Sequence, residues 1–459
     1  MDEYIDKIRK IAFEKYSPKR ENWTAVDRAL FSPKKIFEVN YKDSKKLRFD
    51  AIKYAFNHHY QNSNFYNKFC KNLEIKPSDI KNEGDFNKIP LISDLLFKDH
   101  PDEGDYFIEW LTKIYTGKFP SQYLKNLQSY DNIIQASYKN DVSLVFSSGT
   151  SGQFSFVPRD ELTWNRQMYM CSKILEMIPF EIDINKPTII WIGPNPINTF
   201  LYIGRLTKML LDLFDQSNIY FGIQRDLTIN TIQLLMDTGK GFSKKVKAGI
   251  VRPIAAREQN KMLLNIIKML KEKEKQNLPF VIGGTPYFIE MLMYKIEKMG
   301  LNFNLRNGIV ATAGGWKAFI GNKLPTDVFQ SRVKKILGIS PENCRDIYGM
   351  VECNALFVGC KGNYKHVPHS FLYPMVLDEE SNPIGYGEYG RFAFIDPLAN
   401  SYPGFIMTGD KVRLLDRCPA CGRPGPVIDG DISRLSGIHD RGCGATLAKM
   451  FSEEVEKVT

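Results

Sequence analysis

The chain has 459 residues, long enough for several structural units at roughly 100–200 residues per domain. Its composition, 43% hydrophobic and 25% charged, excludes fibrous and disordered classes, and no apolar run approaches the roughly 20 residues needed to span a bilayer. The net charge of +10 is dispersed among acids, which gives no reason to expect nucleic acid and suits small anionic substrates.

The start, MDEYIDKIRKIAFEKYS, is charged and amphipathic and lacks a secretory apolar core, so a cytoplasmic location is expected. Residues 1–140 read as mostly helical, with turn clusters at Asn62-Ser-Asn-Phe65 and Lys76-Pro-Ser-Asp79. Over 141–375 strand-like runs at Ser143–Phe146, Thr188–Ile192, Phe280–Ile282 and Ile309–Ala311 alternate with helical stretches at Glu161–Ile178, Glu258–Lys273 and Tyr287–Met299. Apolar strands each followed by an amphipathic helix predict an α/β fold with a mainly parallel sheet covered on both faces. Over 376–435 short strands at Arg391–Ile395 and Lys411–Leu415 are broken by Gly, Pro and Asn, which predicts a small antiparallel β subdomain. Residues 436–459 form a short tail.

Four segments carry chemistry. Ser147-Ser-Gly-Thr-Ser-Gly152 follows an apolar strand and shortly precedes a helix. Its glycines allow close backbone approach, and its N–H and hydroxyl groups suit phosphate oxygens. Taken alone, the loop is equally an ordinary polar connection. Ala311-Thr-Ala-Gly-Gly-Trp316 ends a predicted strand, where Gly314 and Gly315 admit a flat ring or simply make a turn. Asp346-Ile-Tyr-Gly-Met-Val-Glu352 offers the aromatic face of Tyr348, a flexible Gly349 and a carboxylate suited to a hard cation. Ser401-Tyr-Pro-Gly-Phe-Ile-Met-Thr-Gly-Asp410 ends on a carboxylate able to accept hydrogen bonds from vicinal hydroxyls.

In this order and spacing the segments resemble the adenylate-forming superfamily of acyl-CoA synthetases, luciferases and adenylation domains, over residues 141–443. The resemblance implies the large N-terminal domain of that fold, with ATP and Mg²⁺ as cofactors. Ser147, Ser148, Gly149, Thr150, Ser151 and Gly152 match the phosphate loop, in which Thr150 is implied to be catalytic. Gly314, Gly315 and Trp316 match the adenine segment, and Tyr348-Gly-Met-Val-Glu352 an aromatic-Gly-x-x-Glu motif whose Glu352 holds Mg²⁺ and takes part in catalysis. Asp410 of Thr408-Gly-Asp410 matches the ribose ligand, and Arg434 the arginine that follows it, with Ser433 in place of the usual glycine. Ser155 stands where many members have lysine.

Two branches are most similar. The phenylacetate–CoA ligases share a segment like Cys418-Pro-Ala-Cys-Gly-Arg423. The acyl-protein synthetases of bacterial bioluminescence share more: the phosphate loop followed by Arg159-Asp160, Gly314-Gly-Trp-Lys317, Tyr348–Glu352, Ser401-Tyr-Pro-Gly404 and Arg441-Gly-Cys443. That resemblance implies activation of a fatty acid as acyl-AMP, transfer of the acyl group to Cys443, and delivery to an acyl-accepting reductase or carrier protein. Only sixteen residues follow Cys443, so the mobile C-terminal domain that builds the CoA tunnel is expected to be absent. The rival readings are an acyl- or aryl-CoA ligase of the phenylacetate type and a non-catalytic protein that kept the fold.

Six of the eight cysteines fall between Cys344 and Cys443. Cys360 and His366, with Cys418-x-x-Cys421 in a Pro/Gly-rich knuckle, offer three sulfurs and one imidazole, a donor set suited to tetrahedral zinc. His369 competes with His366 for the fourth position, and the alternative to zinc is a set of reduced cysteines packed in a tight β subdomain. Cys70, Cys171 and Cys344 read as packing residues, and Cys353 as a lining residue next to Glu352.

Overall fold

The computed structural model describes residues 2–148, 154–179, 188–236, 242–316, 324–430 and 432–435. Gly149–Gly152 and Cys443 therefore lie outside the described residues. The strands in chain order are β1 (Ile92–Ser93), β2 (Val142–Ser148), β3 (Phe154–Asp160), β4 (Ile189–Pro194), β5 (Ile219–Ile223), β6 (Phe280–Gly284), β7 (Gly308–Ala313) and β8 (Cys344–Tyr348). They continue as β9 (Phe357–Gly359), β10 (Lys365–His366), β11 (Tyr373–Leu377), β12 (Tyr389–Ile395), β13 (Phe405–Leu415), β14 (Val427–Ile428) and β15 (Ser433–Arg434).

The parallel core has the order β8-β7-β6-β4-β5. Its side chains alternate between two apolar layers, as a doubly covered sheet requires. Ile189, Val281 and Ile309 enter one core, whereas Ile190, Ile282 and Val310 enter the other, beneath helices Phe242–Gln276, Pro286–Lys298 and Thr326–Leu337. Those helices contribute Ile266, Leu270, Ile289, Leu292, Val333 and Ile336 at three- and four-residue spacings. Helix Pro286–Lys298 starts where Thr285 caps Phe288 N–H with Pro286 in the first turn. Helix Thr326–Leu337 stops at Gly338, whose φ of +73° and close approach to Asn304 Cα exclude a side chain.

From β8 the same sheet path continues through antiparallel pairs, β9, β10, β14, β13, β12 and β11. The strands of the expected β subdomain are thus hydrogen bonded in line with the parallel core. The eleven-residue β13 joins the two curvatures, pairing with β12 along most of its length and with β14 at Leu414 and Leu415.

One expectation is corrected. The first apolar run does not enter the parallel sheet: β2 and β3 form a separate antiparallel pair in register from Val142↔Asp160 to Ser148↔Phe154. The hydroxyl-rich segment therefore joins two strands, and the helix begins only after β3. The reason is the run Phe154-Ser-Phe-Val-Pro158, which supplies a second strand with every one of these residues buried. Helix Glu161–Ser172 follows, capped by Asp160 on Thr163 N–H, and tightens into a 3₁₀ turn over Lys173–Met177. Among the described residues no helix is long and apolar enough to cross a membrane.

Candidate functional site

The parallel strands β7 and β8 end side by side, with Ala313 paired to Ile347. Ligands of open α/β sheets bind beyond such carboxyl ends. Tyr348 closes β8, and its hydroxyl donates to Asp410 Oδ2 at 2.6 Å. Asp410 sits in β13 directly opposite Arg434 of β15, whose Nε lies 3.0 Å from Asp410 Oδ1. Gly409 permits this approach, since a Cβ there would stand 3.1 Å from Arg434 Nη1. Burial pushes the Asp410 carboxyl upward, opposed by Arg434 and by the Tyr348 hydrogen bond. Burial and the Asp410 charge push the Tyr348 phenol up as well.

Glu352 follows on the loop after β8 and is only 4% exposed. Burial raises its carboxyl, with Lys98 as the leading opposing influence and Asp94 reinforcing the rise. Its segment is fixed from behind. Asn354 N–H and Nδ2 donate to Asp396 Oδ2 at 2.6 and 3.1 Å, and Nδ2 also donates to Tyr402 at 2.9 Å. Arg159 of β3 donates through Nε to Asn354 Oδ1 at 2.9 Å and through Nη2 to Val351 O. Tyr402 donates in turn to Glu352 O at 3.3 Å. Two segments singled out in the sequence, Arg159-Asp160 and Ser401-Tyr-Pro-Gly404, thus serve as a rigid backing for the Glu352 loop.

Gly314 and Gly315 follow β7 with φ of +81° and +62°. A Cβ on Gly314 would strike Ile203, whereas nothing lies within 4 Å of one on Gly315, so the open face belongs to Gly315. Trp316 is half-buried, with its ring edge-on to Phe329 at 6.0 Å, a packing contact. Gly349 sits just past Tyr348 against Leu356. Ser147 and Ser148 end β2 opposite Ser155 and Phe154.

The structure adds residues that sequence reading passed over. β1 pairs in parallel with β13 at Ile406 and Met407, and the 3₁₀ turn Asp94–Phe97 follows at once. This brings Asp94 and Lys98, which contact each other, to Arg434, whose Nη1 lies 4.0 Å from Asp94 Oδ2. Two residues on, His100 faces Pro101 O at 2.8 Å and Phe154 O at 3.1 Å, inside rings of Phe107, Trp110, Tyr130 and Phe156. Lone charged residues on a short turn leave no periodic signal, and only the β1–β13 pairing reveals them.

A second constellation lies where β9, β10 and the turn before β14 meet. The ligand atoms of Cys360, His366, Cys418 and Cys421 all fall within 4.8 Å of one another. Cys360 Sγ lies 3.7 Å from Cys418 Sγ, and Cys421 Sγ lies 3.2 Å from His366 Nε2. A sulfur pair at a disulfide would be about 2.05 Å apart, whereas a tetrahedron with Zn–S bonds of about 2.3 Å has edges of about 3.8 Å. Gly362 N–H donates to Cys360 Sγ at 3.4 Å, as a metal-binding knuckle requires. Burial holds the His366 imidazole neutral, with its pKa lowered to about 4, the form that ligates metal. His369 is occupied elsewhere, its ring nitrogens 3.0 Å from Val39 O and 3.3 Å from Val367 O. Cys70, Cys171, Cys344 and Cys353 are buried packing thiols, with burial pushing the first three up to about 12.

Comparison with known proteins agrees with this architecture. The structure of 2-hydroxyisobutyryl-CoA ligase in an open conformation, in complex with 2-HIB-AMP and CoA, superposes with a TM-score of 0.55 at 11% identity, covering 86% of this chain and 76% of that one. The same ligase in its thioesterification state gives 0.55 at 12% identity, over 87% and 70%. The fold is that of the adenylate-forming ligases. Residues 251–452 match the model of the acyl-protein synthetase family, LuxE. The long-chain-fatty-acid–luciferin-component ligase of Vibrio harveyi is 24% identical over 415 residues, 90% of each chain. The chain is similar to the acyl-protein synthetases, as its motifs suggested.

Proposed function

We propose that this protein activates a fatty acid with ATP and passes the acyl group to a protein thiol. The observation that carries the proposal is the convergence of Tyr348, Asp410, Arg434 and Glu352 beyond the ends of β7 and β8. In this reading Asp410 accepts the ribose hydroxyls, Gly315 leaves its open face to the adenine, and the hydroxyl-rich Ser147–Gly152 segment takes the outer phosphates. A carboxylate oxygen of the acid bonds to the α-phosphorus, the bond to the β-phosphate bridge breaks, and pyrophosphate leaves with the electron pair. Acyl-AMP then gives its acyl carbon to a cysteine thiolate; the C–O bond to AMP breaks and AMP departs.

Glu352 fits a magnesium site, being a buried carboxylate that forms no ion pair among the described residues, and the ion would neutralise phosphate charge there. The Cys360, His366, Cys418 and Cys421 set fits structural zinc in donor type and spacing. Cys443 is our candidate for the acyl-accepting thiol, with Arg441 two residues away to favour its thiolate. The final acceptor is then a reductase or carrier protein, and the setting is the cytoplasm, in keeping with no disulfide among the seven described cysteines.

The test has two stages. Exchange of labelled pyrophosphate into ATP should require a fatty acid and Mg²⁺. Labelled acid plus ATP should then leave neutral-hydroxylamine-labile label on the wild-type chain but not on Cys443→Ser, which still forms adenylate. Release of acyl-CoA with no protein label would establish a CoA ligase instead, and absence of exchange with every acid would leave a binding protein.

A further inference from the structure

Beyond the residues assigned so far, the cluster around Asp410 contains a cation brought in by the N-terminal region. Lys98 ends the turn that follows β1 and contacts Asp94, itself only 5% exposed. The same oxygen, Asp94 Oδ2, faces Arg434 Nη1 at 4.0 Å, so one buried carboxylate holds two cations toward one space. Arg434 is committed by its Nε to Asp410 at 3.0 Å, the ribose ligand in the reading above. Lys98 has a flexible stem, and its side chain remains 24% exposed. Its charge acts on both Glu352 and Asp410. On its other side the chain reaches His100, which faces Phe154 O at the start of β3. Lys98 is therefore linked by charge to Glu352 and Asp410, and the chain two residues on meets the start of β3.

The charges there do not balance. Among the described residues, Asp94, Glu352 and Asp410 face Lys98 and Arg434, three carboxylates against two cations, before any nucleotide arrives. A triphosphate entering this field needs a mobile cation, and an ammonium is a compact point charge suited to phosphate oxygens.

We propose that Lys98 is a nucleotide-binding residue that leaves Asp94 to contact the phosphate chain of ATP, Asp94 serving as its positioning residue. The inference rests on the ATP-dependent reading above. Within that reaction Lys98 neutralises oxygen charge as the bond from carboxylate oxygen to α-phosphorus forms and the bond to pyrophosphate breaks; it exchanges no proton.

The experiment compares binding of ATP and of adenosine by calorimetry, with Mg²⁺, in full-length wild type, Lys98→Met and Lys98→Arg. Lys98→Met should weaken ATP by about 30-fold, the loss expected for one charged hydrogen bond, and leave adenosine within about twofold. Lys98→Arg should recover most of the ATP affinity. Equal losses for ATP and adenosine would reveal a merely structural role, and unchanged ATP affinity would also overturn the assignment. Because Lys98→Met leaves Asp94 with only the 4.0 Å contact to Arg434, the Asp94→Asn/Lys98→Met pair provides a folded control with the same expected preference. Pyrophosphate exchange separates this inference from the functional reading. Lys98-dependent ATP binding without exchange defeats acid activation alone, whereas exchange unaffected by Lys98→Met defeats Lys98 alone.

Discussion

The two constellations are built from opposite materials. The Cys360/His366/Cys418/Cys421 set is drawn from short neighbouring strands and tight turns, and its ligand atoms face one another. The cluster around Asp410 is assembled from β8, β13, β15 and the turn after β1, segments far apart in sequence. A site meant to hold one ion permanently can close on itself. A site meant to exchange ligands must keep an unsatisfied side, and it does so by borrowing residues from distant segments.

This contrast can be broken at either end. The largest effect is expected for Cys418→Ser, which removes one ligand of a closed set. It should abolish zinc and cost at least about 5 kcal/mol of folding free energy, a fraction of the roughly 10–16 kcal/mol typical of structural zinc binding. Denaturant titration with elemental analysis checks this, and a metal-free wild type of undiminished stability would refute it. In the open pocket, Glu352→Gln should leave zinc content and unfolding midpoint unchanged while lowering pyrophosphate exchange about 100-fold, close to 3 kcal/mol of transition-state stabilisation. If stability fell instead, Glu352 would belong to the structural class.

Tyr348→Phe sharpens the comparison within the pocket. Loss of the 2.6 Å bond to Asp410 should weaken ATP by about 2 kcal/mol, as for other hydrogen bonds to charged groups, with no change in zinc. An ATP affinity equal to wild type would remove Tyr348 from the ribose end.

The smallest effect concerns His59 in the helix Tyr41–Asn62. His59 Nε2 lies 3.0 Å from Ala399 O and Nδ1 lies 2.9 Å from Thr116 Oγ1, a neutral ring donating once and accepting once. Burial lowers its pKa well below the ordinary value near 6.5. The neutral form is therefore favoured by folding, and its stabilisation is complete above about pH 6.5 and lost as pH falls toward the folded value. The expected slope is at most about 1.4 kcal/mol per pH unit. It should flatten in His59→Gln, and an unaltered slope in that variant would assign the acid sensitivity to other groups.

What could be read from sequence divides along the same line. Apolar runs without alternation announced β4, β6 and β7, and Cys/His spacing announced the knuckle, because both signals are local. Ser143–Phe146 was equally apolar, yet its partner is β3 and not the parallel sheet. Pro158 inside that partner disguises it as a loop, a place tolerated here because the pair has free edges. Glycine-containing motifs marked Tyr348, Glu352 and Asp410. Nothing local marked Asp94, Lys98 or His100, whose importance depends on a two-residue strand pairing across most of the chain.

That pairing has a consequence for biosynthesis. Ile92 meets Ile406, and Arg434 meets Asp410 later still. Contacts so distant in sequence form late, since loop closure must precede any gain from them. A ribosome-bound chain can complete its helical layer and parallel strands while the cluster around Asp410 still lacks β13 and β15. Under the ATP-dependent reading proposed above, the emerging polypeptide would bind nucleotide at this cluster only after synthesis has passed Arg434.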